Sequence, residues 1–349
     1  MNTIVRKINK NQINTDIIEE AGLILKKGGL VAFPTETVYG LGADALNDKA
    51  AKKIYGAKGR PSDNPLIVHI TNIEALSEIT GAISREAQII AGKYWPGPLT
   101  MIFDKSDRVP LETTGGLKTV AVRMPSHEIA RRVIDAGGGY IAAPSANTSG
   151  RPSPTCARHV KEDLDGKIDM ILDGGPVDIG VESTILDMTV TPPVILRPGA
   201  ITKEMLEELI GQVSVDKTLL GEDSREPPKA PGMKYRHYAP KAKLVIVEGE
   251  MDSVIPQINS LAEEKSEQGY RVGIIGTTET VSLYLAGNVK NIGSRGSASS
   301  IASHLYGILR EFDDDGTDYI FSESFAREGM EGAVMNRLLK ASGNHVIKV

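Results

Sequence analysis

Short apolar runs, each closed by a Pro- or Gly-framed polar loop and interleaved with stretches of helical spacing, restrict the fold of this chain more than any other feature. Such runs read as buried strands, and strands alternating with helices imply an α/β sheet with helices packed on it. Asn14 to Asp16 can cap a helix whose apolar residues Ile17, Ile18, Ala21, Ile24 and Leu25 recur at helical spacing, ended by Gly28 and Gly29. Leu30 to Phe33 predicts a strand that Pro34 stops, followed by a loop, TETVYGLGAD. Further strands are predicted at Leu66 to Ile70, Leu99 to Phe103, Val120 to Arg123, Tyr140 to Ala143, Met170 to Leu172, Ser183 to Met188 and Val194 to Leu196. Helices are predicted at Lys49 to Tyr55, Ser84 to Tyr94, Glu128 to Ala136 and Lys203 to Ile210.

From Gly211 to Pro240 the pattern weakens into a stretch rich in Pro, Gly and charge, which reads as a linker. A second α/β rhythm follows: strand AKLVIVEG, a helix from Asp252 to Gln268, strand YRVGIIGT, and helices at Ser297 to Phe312 and Met330 to Ser342. At about 150 residues per domain, a chain of 349 residues holds two. The expected division is 10–210, a linker at 211–240, and a smaller domain at 241–349.

Hydrophobic residues at 40% and charged residues at 24% describe a folded chain, and the single Cys156 leaves no disulfide framework. The N-terminal MNTIVRKINKNQINTD lacks the apolar core of a signal peptide, and no run approaches the ~20 apolar residues of a membrane span, so a cytoplasmic protein with no membrane partner is expected. A net charge of -5 opposes a broad grip on nucleic acid, and aromatics at 5% give little material for stacking single-stranded RNA.

GLGADA at Gly40 to Ala45 fits G-x-G-x-x-A, but it lies too close to the preceding strand and too far from the next helix for a dinucleotide fingerprint. A plain tight loop is expected there. Walker and nucleophile-elbow motifs are missing, and six His with one Cys make a zinc cage improbable. In KGRPSDNPLIVHI, Lys58 and Arg60 flank Gly59 and precede Pro61, which places both on an irregular loop. Two such cations are either a solvated basic surface or a polyphosphate clamp. APSANTSGRPSPT, Ala143 to Thr155, concentrates hydroxyls and backbone N–H groups in one turn, an ordinary polar loop unless other strand ends repeat the design. They do: Thr119 and Arg123 in TVAVRMP, Ser183 in VESTILD and Arg197 in ILRPG. Strand-end loops are where α/β sheets build their sites.

FPTETVYGLG (33–42), KGRPxxNPL (58–66), RMP (123–125), PSANTSGxPSPT (144–155), GVESTI (180–185), LRPG (196–199) and PGMKYRHYAP (231–240) together resemble the YrdC/Sua5 family in its long form, from about residue 10 to the C-terminus. The resemblance implies a YrdC-like twisted mixed sheet with flanking helices over 10–210, a linker that acts as a lid, and a Rossmann-like Sua5 domain at the C-terminus. It implies a nucleotidyltransferase that turns ATP, L-threonine and bicarbonate or CO2 into threonylcarbamoyl-adenylate and pyrophosphate. That product feeds the downstream tRNA threonylcarbamoyl transferase machinery that makes t6A; tRNA contact is compatible with this but not required.

The implied reaction joins anions, so charge neutralisation and alignment outweigh a strong base. Lys58 and Arg60 are assigned to the phosphates as catalytic residues, with Ser145, Asn147 and Ser153 hydrogen-bonding them. Asn64, Thr119, Arg197 and, from the linker, Tyr235 complete the expected ATP site. Arg123 is the carboxylate partner expected for threonine, assisted by Ser183, His69 and either Thr35 or Thr37 of the PTET loop. Mg2+ is expected with ATP, held by phosphates and water without dedicated protein ligands, since the motifs offer few carboxylates beyond Glu36 and Glu182.

Two other readings compete. A YrdC-type module for double-stranded RNA or tRNA is opposed by the low basicity. A carbamoyl-phosphate-processing enzyme like the hydrogenase-maturation proteins is opposed by the single cysteine, because those carry cysteine-rich zinc regions.

Overall fold

Asn14 starts the first helix by accepting a hydrogen bond from the backbone N–H of Asp16, and α1 (Thr15–Lys26) then buries Ile18, Ala21, Gly22 and Leu25 on one face. The computed structural model describes residues 2–220, 230 and 237–349. It divides them into one unit of 2–149, 153–220 and 230, and another of 150–152 and 237–349. In the first unit α1 lies between β1 (Ile4–Lys7) and β2 (Val31–Pro34). The chain continues through β3 (Tyr39–Asp44), α2 (Asp48–Lys58), β4 (Ile67–His69), α3 (Glu74–Ile79), α4 (Arg85–Tyr94), β5 (Leu99–Asp104), β6 (Thr119–Arg123), α5 (Glu128–Ala136) and β7 (Ile141–Ala142). It ends in α6 (Ala157–Leu164), β8 (Met170–Asp173), β9 (Thr184–Asp187), β10 (Val194–Arg197), α7 (Lys203–Ile210) and β11 (Ser214–Val215).

These strands form one mixed sheet of eleven, ordered β1-β8-β2-β3-β7-β4-β6-β5-β9-β10-β11. Strand alternation sends Ala32, Leu41, Val68, Val122, Met101 and Leu186 into the larger apolar core on one side, with Ile54 of α2 and Ile90 of α4. On the other side Val31, Phe33, Ile141 and Met170 pack with Ile18 of α1 and Val133 of α5. Further along that second side the apolar residues are Ile67, Ile102, Ala121, Ile185 and Leu196, joined by Ala230.

The GLGADA segment departs from expectation: Tyr39–Gly42 is no loop but pairs antiparallel with β2, Pro34 itself facing Tyr39. A Cβ on Gly42 would sit 2.6 Å from the Phe33 ring and 2.9 Å from Ile141, so this glycine admits an aromatic ring between strands. The turn is confined to residues 35–38.

The second unit is a five-stranded, wholly parallel sheet ordered β14-β13-β15-β12-β16. Its elements are β12 (Lys243–Glu248), α8 (Met251–Glu267), β13 (Val272–Gly276), β14 (Asn288–Asn291), α9 (Ala298–Asp314), β15 (Tyr319–Glu323), α10 (Gly329–Ser342) and β16 (Val346–Lys348). A central parallel sheet linked by α8, α9 and α10 fits the Rossmann-like expectation. Among the described residues no helix is long and apolar enough to cross a membrane.

Candidate active site

Helix α2 runs one turn beyond its apolar stripe, so Lys58 is its last residue rather than part of a loop; Gly59, at φ 61, caps it in the left-handed conformation and turns the chain toward Arg60. Both cations are drawn inward, Lys58 to 2% exposure and Arg60 to 8%. Lys58 Nζ donates to the carbonyls of Ser145 and Asn147, each at 2.5 Å. Arg60 donates from Nε to Asn64 O at 3.2 Å and from Nη2 to Pro65 O at 3.0 Å. Ser145 Oγ lies 2.5 Å from Asn147 Oδ1, and Asn147 Nδ2 donates to Thr148 O. Asn64 is buried, and its Oδ1 makes no hydrogen bond.

The strand register sets where the other residues lie. Arg123 of β6 faces His69 of β4 on one side and Thr100 of β5 on the other, so the three side chains share a sheet face. Thr119 is on the same face four residues earlier, ~13 Å along the strand. The loop after β7 leaves beside the start of β4, where Ala143 N–H donates to Ile67 O. Lys58 is tied to that loop through Ser145 and Asn147, the same loop pairs with the start of β3 at Gly40, and Ser183 precedes Thr184, which lies beside Leu99 of β5.

Arg123 is 4% exposed and donates from Nη1 to Thr37 Oγ1 at 2.9 Å and from Nε to Gly97 O at 3.4 Å. Its Nη2 lies 2.7 Å from Glu36 Oε1. Of the two threonines left open in the sequence, Thr37 is the one that meets Arg123. Thr35 Oγ1 is turned back onto its own loop and donates to Val38 O at 2.6 Å, while Thr37 faces the guanidinium. The two hydroxyls stand 2.9 Å apart within the turn. Ser183 Oγ contacts Thr100 Oγ1 at 2.8 Å and accepts from Arg197 Nη2 at 3.2 Å. Arg197 thus sits against Ser183, and Ser153 donates to Glu182 at 2.5 Å. Tyr235, with the whole of 231–236, lies outside the described residues.

Burial, reinforced by the positive charge of Arg123, depresses the His69 pKa to about 3, so its ring is neutral at physiological pH with Nδ1 3.1 Å from Ile67 O. Burial opposes the charge of Glu36, yet Arg123 and the amides of Glu36 and Ser126 outweigh it and hold this carboxyl below its usual range. Sequence reasoning passed over Thr100 and gave Glu36 and Glu182 no binding role. The signal for Thr100 was present: a lone hydroxyl residue within the apolar run LTMIF, in register with an arginine.

Two buried cations beside a hydroxyl-rich turn, and a buried arginine flanked by Thr37, Thr100 and Glu36, mark an α/β protein with a polar site at its strand-end loops. Residues 23–199 match the Sua5/YciO/YrdC family model, described as telomere recombination, and 201–343 match the C-terminal domain model of threonylcarbamoyl-AMP synthase. The chain is 49% identical to the threonylcarbamoyl-AMP synthase of Pyrococcus abyssi, over 99% of its own length and 100% of the relative's. It is 50% identical to that of Bacillus subtilis, over 96% and 95%. The crystal structure of P. abyssi Sua5 complexed with L-threonine superposes with a TM-score of 0.94 at 48% identity, covering 99% of this chain and all of that one. Escherichia coli YciO, at 24% identity and a TM-score of 0.51, shares the fold over 56% of this chain. The chain belongs to the Sua5/YciO/YrdC family, in the two-domain Sua5 form.

Proposed function

We propose that this chain is an L-threonylcarbamoyladenylate synthase: L-threonine, bicarbonate or CO2 and ATP give threonylcarbamoyl-adenylate and pyrophosphate, which supplies t6A formation in tRNA through a downstream transferase in the cytoplasm. The observation that carries this reading is identity of about half to curated synthases along the whole chain.

In this reading Lys58 and Arg60 neutralise the phosphates, and Ser145, Asn147, Ser153, Asn64 and Thr119 orient them. Arg123 takes the threonine carboxylate, with Thr37, Ser183 and neutral His69 around the rest of the amino acid. Arg197 acts through Ser183, linking the two substrates. The threonine amine adds to CO2 to form a carbamate, and a carbamate oxygen attacks the α-phosphorus as pyrophosphate leaves. The chain's work is alignment and charge stabilisation. Among the described residues no cluster of three or more His, Cys, Asp or Glu could hold a metal. The donor set suits Mg2+ carried on phosphate and water, because Glu36 faces Arg123 and Glu182 accepts from Ser153. Mg2+ would then supply further neutralisation of the triphosphate. The linker, including Tyr235, serves as a lid that keeps water from the carbamate and the adenylate; slower trypsin cleavage there in the presence of ATP is the expected sign.

Chromatographic detection of the adenylate product tests the assignment, with Arg123→Ala and Arg123→Lys as its site arm. Arg123→Ala should raise the threonine requirement far more than the ATP requirement, and Lys, which lacks the fork, should rescue poorly. An unchanged threonine requirement in Arg123→Ala would place the carboxylate elsewhere.

A further inference from the structure

We propose that helix α6 shapes the ATP site from behind: Asp163 and His159, buried and one turn apart on a single face of that helix, are positioning residues that hold the hydroxyl-rich turn so that Ser145 and Asn147 meet the phosphates. The inference rests on the ATP site proposed above and extends it to a helix that touches no substrate in that reading.

The turn is fastened on both sides of Asn147. Ala146 N–H donates to Tyr39 O of β3 at 2.8 Å, and Thr148 N–H donates to Asp163 Oδ2 at 3.0 Å. Thr148 is held twice, because its Oγ1 donates to the main-chain carbonyl of Asp163 at 3.2 Å. The far limb of the turn is tied to the same helix: Thr155 N–H donates to His159 Nδ1 at 3.3 Å, which makes that nitrogen the unprotonated one of the ring. Beside it, Tyr39 N–H donates to Pro154 O at 2.9 Å. Asp163 and His159 are each 4% exposed, so these bonds do not compete with bulk water.

A buried aspartate is costly, and one placed beneath a turn assigned to a polyanion adds like charge to that of the ligand. An apolar residue would fill the space at lower cost but could not hold an amide, whereas a carboxylate bonds an N–H about twice as strongly as a neutral acceptor does. The gain is in placement. Asn147 lies between two fastened residues, Lys58 Nζ reaches the carbonyls of Ser145 and Asn147, and Ser149 N–H returns to Lys58 O at 2.9 Å, so any shift of the turn would carry the partners of the lysine with it. Groups that align a reaction lose rate out of proportion when displaced by about 1 Å, and the residues that lock them matter accordingly.

Calorimetry on the full chain with ATP and Mg2+ and, separately, with L-threonine reads this role. Asp163→Ala should weaken ATP ~10- to 100-fold, the effect of losing a hydrogen bond to a charged group, while changing threonine less than about threefold. Asp163→Asn, whose amide oxygen can still accept from Thr148, should recover most of the loss. A purely structural role predicts a lower melting temperature with both affinities kept, so unchanged ATP affinity in Asp163→Ala overturns the proposal, and so does equal loss for the two ligands. Should Asp163→Ala fail to fold, His159→Phe, which keeps a ring and removes the acceptor of the Thr155 N–H, decides alone: ATP weakened ~3- to 10-fold with threonine unchanged is expected, and unchanged ATP affinity overturns the proposal. Lys58→Ala keeps the two levels distinct: undiminished ATP affinity there refutes the underlying site rather than the role of α6.

Discussion

Lys58 carries its charge into the protein on a helix end, and its two carbonyl contacts tie it to the very turn that presents Ser145 and Asn147. Lys58→Ala should therefore cut turnover ~100- to 1000-fold, the usual effect of losing one placed electrostatic donor. It should also lower stability by ~1 to 3 kcal/mol by leaving buried carbonyls unfilled. Steady-state pyrophosphate release and thermal melts read both; wild-type turnover would remove Lys58 from the chemistry. His69 gives a pH signature. Its folded pKa, about 3, is below the ordinary 6.5, so between those values the unfolded chain holds a proton that the folded chain does not. Stability must then fall as pH drops below 6.5, by about 2 kcal/mol between pH 7 and pH 5. Denaturant titrations at the two pH values should show that His69→Asn loses less over this interval than wild type, whereas parallel losses would contradict the buried neutral ring.

Elements whose local signals agree were legible in the sequence. Glu128–Ala136 and Lys203–Ile210 end where their apolar spacing ends, and Asn14 marks a helix start by the side-chain bond it makes. Elements governed by a distant partner were not. Tyr39–Asp44 reads as a glycine loop because its reason to be a strand, the Phe33 ring across the hairpin, lies on another strand. Tyr319–Glu323 is central in its sheet but escapes an apolar scan because Ser322 and Glu323 are fully buried, the glutamate held by Tyr284 at 2.7 Å and by Arg295. The same holds in the site: the motifs give the residue types, but only the register shows Arg123 between His69 and Thr100, or Arg197 against Ser183. Gly42→Ala tests the hairpin. It should cost ~1 to 3 kcal/mol by overpacking while leaving the KM for ATP unchanged. A large rise in that KM with an unchanged melting temperature would instead make GLG a nucleotide loop.

In the function proposed above, the first unit of the molecule brings two chemically different substrates together, Lys58 and Arg60 serving a polyphosphate and Arg123 an amino acid. Such a design makes the reaction conditional. The attacking carbamate forms only from an amine and CO2, so neither ATP alone nor ATP with one partner should turn over. The most direct measurement is pyrophosphate release from ATP by the purified chain with L-threonine and bicarbonate supplied together, singly and not at all. Release only when both are present is the predicted result, and equal release without an amino acid would contradict it.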